Sequence, residues 1–437
     1  MTLTDIAAGD RDVHDHQIVE EKTSLFHQLI AVWAVAFASM VAFMGIGLVG
    51  PILPTISEDL NATATQTSFL FTSYLAVTAV MMFFTSWLSG RFGTRTVMLV
   101  GLAVIVVAAI GCALSSTVVG VIAFRALWGL GNALFLSTAL ASIISASKGS
   151  AGQAIILYEA ALGIGLAVGP LVGGLLGEID WVFAFWGTAS LMAVGFVAII
   201  TFVRGAGRSD GPIRISAPFK ALTIPSLLIL SVVAFFYNSS FFVTLAYVPY
   251  PLGLPAVGIG LVMTGFGIGL AVTSIVIAPR LTSRVAPLHV LWMGLVVFAA
   301  THAAAAFSSG VLPLLIVFVV LLGFEIGLLN TVLTEAVMEA TDLPRPVASS
   351  AYSGVRFFGG AIGAPVGTSL AAFGVGAPLL FAGARPWSVR SCCCASSGIS
   401  PARATWCTRR HSRRRRSSPS ATSRRRMVVA GPPTVRR

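Results

Sequence analysis

From residue 27 onward, apolar stretches alternate with short polar punctuation. A helix rising about 1.5 Å per residue needs about 20 apolar residues to cross the hydrocarbon core of a bilayer. Stretches of that length fall at 27–50, 65–88, 97–115, 119–146, 152–176, 182–203, 223–248, 257–279, 288–307, 312–335 and 347–372. They predict spans 1 to 11 of an all-α integral membrane protein. A twelfth begins at Gly374 (GVGAPLLFAGA) and stops. Residues 1–26 are polar and acidic, with Asp5, Asp10, Asp12 and Asp15 near the start. A signal peptide needs a basic start, so span 1 is expected to stay uncleaved behind a disordered tail.

Charge in the loops orients the spans, because Lys and Arg collect on the cytoplasmic side. Counted from a cytoplasmic N-terminus, the inside loops hold Arg91, Arg95, Lys148, Arg204, Arg208, Arg214, Lys220, Arg280, Arg284 and Arg345. The outside loops hold Glu58, Asp59, Glu178 and Asp180 instead. A multi-pass protein of the cell inner membrane is expected, with its N-terminus inside.

Composition agrees with this reading and removes one false lead. The chain is 56% hydrophobic and 10% charged, with a mean hydropathy of +0.90; a soluble domain is usually about 25% charged. That excludes a soluble enzyme. The net charge of +12 misleads, since residues 385–437 hold 14 of the 28 basic residues and no acidic one. Without them the balance is 14 basic minus 16 acidic, or −2. Cys112 is the one cysteine of the body; Cys392, Cys393, Cys394 and Cys407 fall in the tail. No disulfide framework and no metal-ligand cluster is implied.

The long loop 204–222 divides the chain into halves, 27–203 and 223–384, that echo each other. Arg91 and Arg95 after span 2 match Arg280 and Arg284 after span 8. Gly129-Leu130-Gly131-Asn132 in span 4 matches Gly327-Leu328-Leu329-Asn330 in span 10. Gly169-Pro170-Leu171-Val172-Gly173 in span 5 matches Ala364-Pro365-Val366-Gly367 in span 11. Repeated halves are a signature of secondary transporters, with the site at the repeat interface near mid-membrane.

Three motifs resemble the major facilitator superfamily, in its twelve-span drug:proton antiporter branch, over about residues 25–384. The loop after span 2 reads Ser86-Trp87-Leu88-Ser89-Gly90-Arg91-Phe92-Gly93-Thr94-Arg95. Arg91, Gly93 and Arg95 match the gate-loop pattern of that family, while Gly90 stands where it has an acid. The resemblance makes that acid part of a cytoplasmic latch. Span 4 carries Arg125, Gly129 and Gly131, with Trp128 in place of a glutamine. Span 5 carries the complete antiporter motif Gly165, Gly169, Pro170, Gly173 and Gly174. The resemblance implies two six-helix bundles related by a pseudo-two-fold axis, rocking to alternate access. It implies proton-coupled efflux of lipophilic drugs or toxic small molecules, hence antibiotic resistance. An uptake symporter or facilitator for a metabolite is the alternative, and the span 5 motif argues against it. A monomer with protons as coupling ion is expected, with no other cofactor, no enzyme activity and no nucleic-acid partner.

Ionisable residues inside spans are costly and usually functional. Glu159 lies about 10 Å and Glu325 about 15 Å from the cytoplasmic ends of their spans. Glu159 has no cation at matching depth in its half and is the first candidate to carry the proton; Glu325 is the second. Arg356, at about 14 Å, is expected to form a structural ion pair with Glu325. Arg125 either tunes an acid or bonds span 4 to neighbouring carbonyls. His289 and His302 are read as interfacial. Trp33, Phe37, Met40 and Met44 of span 1, with Phe236, Tyr237, Asn238 and Phe241 of span 7, are expected to line the cavity. Such adaptable walls suit lipophilic, often cationic, ligands. Residues 385–437 are rich in Arg, Ser, Pro and Cys. They are read as an out-of-frame, disordered tail that truncates span 12.

Overall fold

A computed structural model describes residues 30–146, 151–203, 215–341, 343 and 345–384. Of the described residues, 89% are helical. Span 1 is a pair of helices, Ile30–Gly47 and Val49–Asp59. Spans 2 to 6 are Ala64–Phe92, Thr94–Ala113, Val118–Ala146, Ala151–Gly177 and Trp181–Phe202. Spans 7 to 11 are Pro225–Leu252, Ala256–Thr282, Pro287–Phe307, Leu312–Glu339 and Arg345–Leu370. Residues 377–384 are helical and begin the twelfth. The N-terminal tail, residues 147–150, most of the central loop and residues 385–437 lie outside the described residues, and with them the expectations for Lys148, Arg204, Arg208 and Arg214.

Local chemistry explains the ends. Thr63 and Gln66 form a reciprocal capping box that starts span 2. Gly93 ends it at φ 84°, a conformation open to glycine at no steric cost. Asp180 caps span 6 by accepting from the Val182 amide at 2.9 Å. Span 8 passes through a π-helical turn, Thr273–Ile277, ahead of Pro279; a proline takes a backbone donor out of the helix ladder. Span 1 runs on to Asp59 rather than ending at residue 50, since Pro51 and Pro54 are accommodated without a break at either residue.

Among the described residues, nine helices are long and apolar enough to cross a membrane by length and composition. Span 5, counted only as the shorter apolar helix Ala161–Gly177, and span 11, which packs on spans 2 and 7, are not among them. Large apolar residues of spans 3, 6 and 9 are exposed, including Val107, Val194, Val197 and Met293. Hydrocarbon accepts such surfaces where water would not.

Spans 1 to 6 pack on one another, as do spans 7 to 11. The halves meet along two seams, span 5 on span 8 and span 2 on span 11. One end of the structure carries Glu58, Asp59, Glu178 and Asp180, and is called the acidic end here. At that end Thr67 Oγ1 meets Tyr250 Oη at 2.5 Å, and Thr368 Oγ1 donates to Ser68 Oγ at 3.1 Å. Phe71 packs on Phe242 with ring centroids 5.8 Å apart. Spans 4 and 10 pack within their own halves.

Candidate functional site

Arg125 is fully buried between spans 1, 2 and 4. Its Nε and Nη1 donate to the carbonyls of Leu70 and Gly45, both at 3.4 Å. The guanidinium carbon lies 4.5 Å from the Tyr74 ring centroid and 4.8 Å from that of Trp128. A guanidinium over aromatic rings is held by their negative faces. Of the two readings of Arg125, the geometry matches helix-to-helix bonding; no described carboxylate touches it. Trp128, standing where the family pattern has glutamine, supplies one of those rings. A Cβ on Gly45 would fall 2.8 Å from it.

Span 5 uses its motif on two faces. Gly165, Gly169 and Gly173 sit against the backbone carbonyls of Met40, Met44 and Leu48 in span 1. Gly174, about 100° further round the helix, faces span 8; a Cβ there would lie 2.6 Å from the Ala256 carbonyl. The ring of Pro170 packs on Gly47, where a Cβ would fall 2.9 Å from its Cδ. The second half repeats the first arrangement. Gly359 and Gly363 of span 11 meet the carbonyls of Phe235 and Ser239 in span 7, and Gly367 meets the Val243 side chain. This residue-by-residue correspondence is the internal two-fold written in backbone contacts.

The expected Glu325–Arg356 ion pair does not form. Glu325 Oε1 accepts from Thr301 of span 9 at 2.6 Å, and its buried Oε2 has no hydrogen-bond partner among the described residues. Arg356 turns to span 7, where Nε donates to Asn238 Oδ1 at 3.4 Å. Equal depth had suggested the pair, but the two side chains leave their helices toward different neighbours. Glu159 lies in the helix of span 5, and its side chain is outside the described residues. His302 is not interfacial. It is buried, with Nδ1 on the Phe298 carbonyl at 2.9 Å and Nε2 by Thr244 Oγ1 at 3.1 Å.

Around Arg356 lies a polar group formed by spans 7, 10 and 11. Tyr237 Oη donates to Asn330 Oδ1 at 2.9 Å, and Asn238 Nδ2 donates to the Arg356 carbonyl at 2.8 Å. The Tyr352 hydroxyl is buried beside that of Tyr237. Next to this group is a small apolar pocket between the halves. Gly47, Gly50, Leu166, Pro170, Phe241 and Phe266 contribute to its wall. Phe241 and Phe266 stack at 5.9 Å. Of the expected cavity residues, Phe241 lines this pocket and Tyr237 and Asn238 belong to the polar group. Met44 is buried, Phe37, Met40 and Phe236 are half-buried, and Trp33 is exposed. Asn330, Tyr352 and Phe266 were not foreseen as site residues. The repeated Gly-x-x-Asn of spans 4 and 10 was the available signal for Asn330.

In the gate loop, Arg95 Nη2 donates to the Ile200 carbonyl of span 6 at 2.8 Å. Arg91 lies 6.0 Å from the Trp87 ring. Neither arginine meets a described carboxylate, and Gly90 leaves open space where the expected latch has its acid.

Two helical bundles with matched halves, glycine-packed seams and charged groups inside the spans define a multi-pass membrane transporter of the secondary type. The Major Facilitator Superfamily model matches residues 35–249 and 227–385; the chain belongs to that family. It is 43% identical over 344 residues to the multidrug efflux protein YfmO of Bacillus subtilis, covering 79% of this chain and 87% of that one. It is 25% identical over 303 residues to multidrug resistance protein 1 of the same organism, covering 65% and 76%. The solved D-xylose-proton symporter superposes with a TM-score of 0.70 at 12% identity, over 86% of this chain and 98% of that one. The human organic anion transporter MFSD10 superposes with a TM-score of 0.65 at 16% identity, over 82% and 98%. At those identities the likeness is one of fold.

Proposed function

We propose that the protein exports lipophilic small molecules across the inner membrane in exchange for protons. The observation that carries this reading is the 43% identity with a multidrug efflux protein across most of both chains. The geometry supports it. The pocket between spans 1, 5, 7 and 8 is walled by aromatic, aliphatic and glycine surfaces with few fixed polar groups. The side-chain hydrogen bonds of Thr67 with Tyr250 and of Thr368 with Ser68 cross between the halves at the acidic end. With the basic end and the N-terminus in the cytoplasm, as the loop charges predict, this state is closed to the outside.

Residues 27–203 and 223–384 are the two bodies that rock. Gly165, Gly169 and Gly173 keep span 1 on span 5 within one body, and Gly174 rides on the other. The gate loop, through Arg95 and Ile200, holds spans 3 and 6 together as that body moves. Glu325 and Glu159 are the candidate proton carriers. Glu325 has one hydroxyl donor and an unsatisfied oxygen, a place where a proton can be held without disturbing a salt bridge.

The test is a panel of toxic compounds on cells with and without the protein, with and without a protonophore. Protection that the protonophore removes is expected. Glu325→Gln is expected to lower proton-driven efflux by tenfold or more (an estimate resting on the functional weight of intramembrane acids) while membrane abundance is unchanged. Undiminished efflux by Glu325→Gln would exclude it as a carrier and leave Glu159.

A further inference from the structure

We infer that Glu325 takes up its proton in a crevice between spans 9 and 10, behind the pocket wall rather than in the pocket, and that Thr301 positions it there. This rests on the reading of Glu325 as a proton carrier and says where that proton sits relative to the exported compound.

Span 10 turns two different faces to its neighbours. Gly323 and Gly327, one turn apart, sit against the backbone carbonyls of Phe266 and Leu270 in span 8. Phe266 and Leu270 line the pocket, so span 10 backs the pocket wall. Ser274, in the π-helical turn of span 8, ties the two helices again by donating to the Gly327 carbonyl at 3.1 Å. Glu325 is two residues from each glycine, which places it about 160° round the helix from both. Leu329 lies one turn along the same stripe as Glu325 and meets Gly294 of span 9, where a Cβ would fall 3.0 Å from its Cδ2. The Glu325 face is therefore the one that packs on span 9, and the bond to Thr301 is part of that packing.

The groups around Glu325 supply no counter-charge. It stands halfway along a 28-residue helix, about 20 Å from either end. His302 of span 9 turns to Thr244 of span 7. Span 8 has no ionisable residue from Ala256 to Ala278. Arg280, Arg284 and His289 sit near the ends of spans 8 and 9, and Glu335 is about 15 Å further along span 10. Tyr237 of span 7 bonds to Asn330, and Arg356 of span 11 has Asn238 as a partner. Oε2 of Glu325, buried and without a partner among the described residues, is the atom left to take the proton.

That position gives the proton a mechanical effect. An ionised carboxylate accepts a charge-assisted bond, roughly twice as strong as a neutral one. Protonation of Oε2 therefore loosens the hold of Thr301, and with it of span 9, on span 10. The glycine contacts pass a shift of span 10 to Phe266 and Leu270. Substrate and proton act on one helix from opposite sides, and neither displaces the other by contact.

The experiment is labelling of Glu325 by dicyclohexylcarbodiimide, a lipophilic reagent that adds to protonated carboxyls. The full chain is reconstituted in liposomes and the label is read by peptide mass spectrometry. The pocket is filled beforehand, in one arm by N-benzylmaleimide on Leu245→Cys and in the other by Leu245→Trp. Glu325 is expected to label within about twofold of its rate in the unaltered chain treated alike. Donation from Thr301 favours the carboxylate. Thr301→Val is thus expected to label about fivefold faster, in keeping with one charge-assisted hydrogen bond, and Thr301→Ser at the original rate. Absence of label on Glu325, or a severalfold drop when the pocket is filled, overturns the inference. Equal rates for Thr301→Val and Thr301→Ser remove Thr301 from it. Labelling as expected in a chain whose export ignores a protonophore would instead sink the export reading alone.

Discussion

The two seams between the halves are built differently. Where span 5 meets span 8, the contact is backbone on backbone. Cβ atoms added at Gly260 and Gly267 would fall 2.6 Å from the Pro170 carbonyl and the Ala167 Cα, and one at Gly163 would fall 3.0 Å from the Ala271 Cβ. Where span 2 meets span 11, side chains carry the contact: Ser68 with Thr368, and the Phe83 ring over Gly354. In hydrocarbon, close approach of small residues gives dispersion contact without a hydrophobic drive. In the rocking motion proposed above, a glycine seam therefore suits a rigid pivot, because backbone cannot step aside. A side-chain seam can change rotamers and exchange hydrogen bonds as the halves tilt.

The largest effect is expected at the pivot. Gly267→Leu forces a side chain into the backbone of span 5, and overpacking costs about 1–3 kcal/mol even where neighbours relax. Loss of most folded protein is expected, read as monodisperse yield and melting temperature. Normal yield and transport would show that this seam is not rigid.

Gly354→Leu is expected to cost less, because the obstacle is a ring. Pairing it with Phe83→Ala should recover most of the yield, whereas pairing Gly267→Leu with Ala167→Gly should recover little, since the span 5 backbone remains. Equal recovery in both pairs would erase the distinction between the seams.

The smallest effect is expected from Tyr250→Phe, which removes one cross-half hydrogen bond at the acidic end. Such a bond contributes about 1 kcal/mol, enough to shift a two-state balance about fivefold without unfolding. A cysteine placed by Leu245→Cys in the pocket should then react about fivefold faster with an impermeant maleimide added outside. An unchanged rate would mean that Thr67 and Tyr250 do not hold that end closed.

How much was legible beforehand follows the same physics. Span positions were readable because bilayer thickness fixes helix length, and span 11 could be placed despite its polarity because it repeats span 5. The antiporter motif was readable as close packing, although its split between Gly173 facing span 1 and Gly174 facing span 8 required the helix phase. The site was less legible. Depth along a span can be counted from sequence, but azimuth decides partners. Glu325 and Asn330 are five residues apart on span 10, about 140° around the helix, so one faces Thr301 and the other Tyr237. Arg356 could not be matched to a neighbour until span 7 was seen against span 11. Trp128 looked like a lost motif residue and proved to be half of the ring pair that holds Arg125.

The most direct test of proton-coupled export is uptake into everted membrane vesicles bearing the full chain, with an acid interior imposed and no other energy source. The account predicts that a lipophilic probe accumulates above its outside concentration, that its entry releases protons from the lumen, and that a protonophore abolishes both. Accumulation that persists after the gradient is collapsed, or entry that only equilibrates the probe, would contradict it.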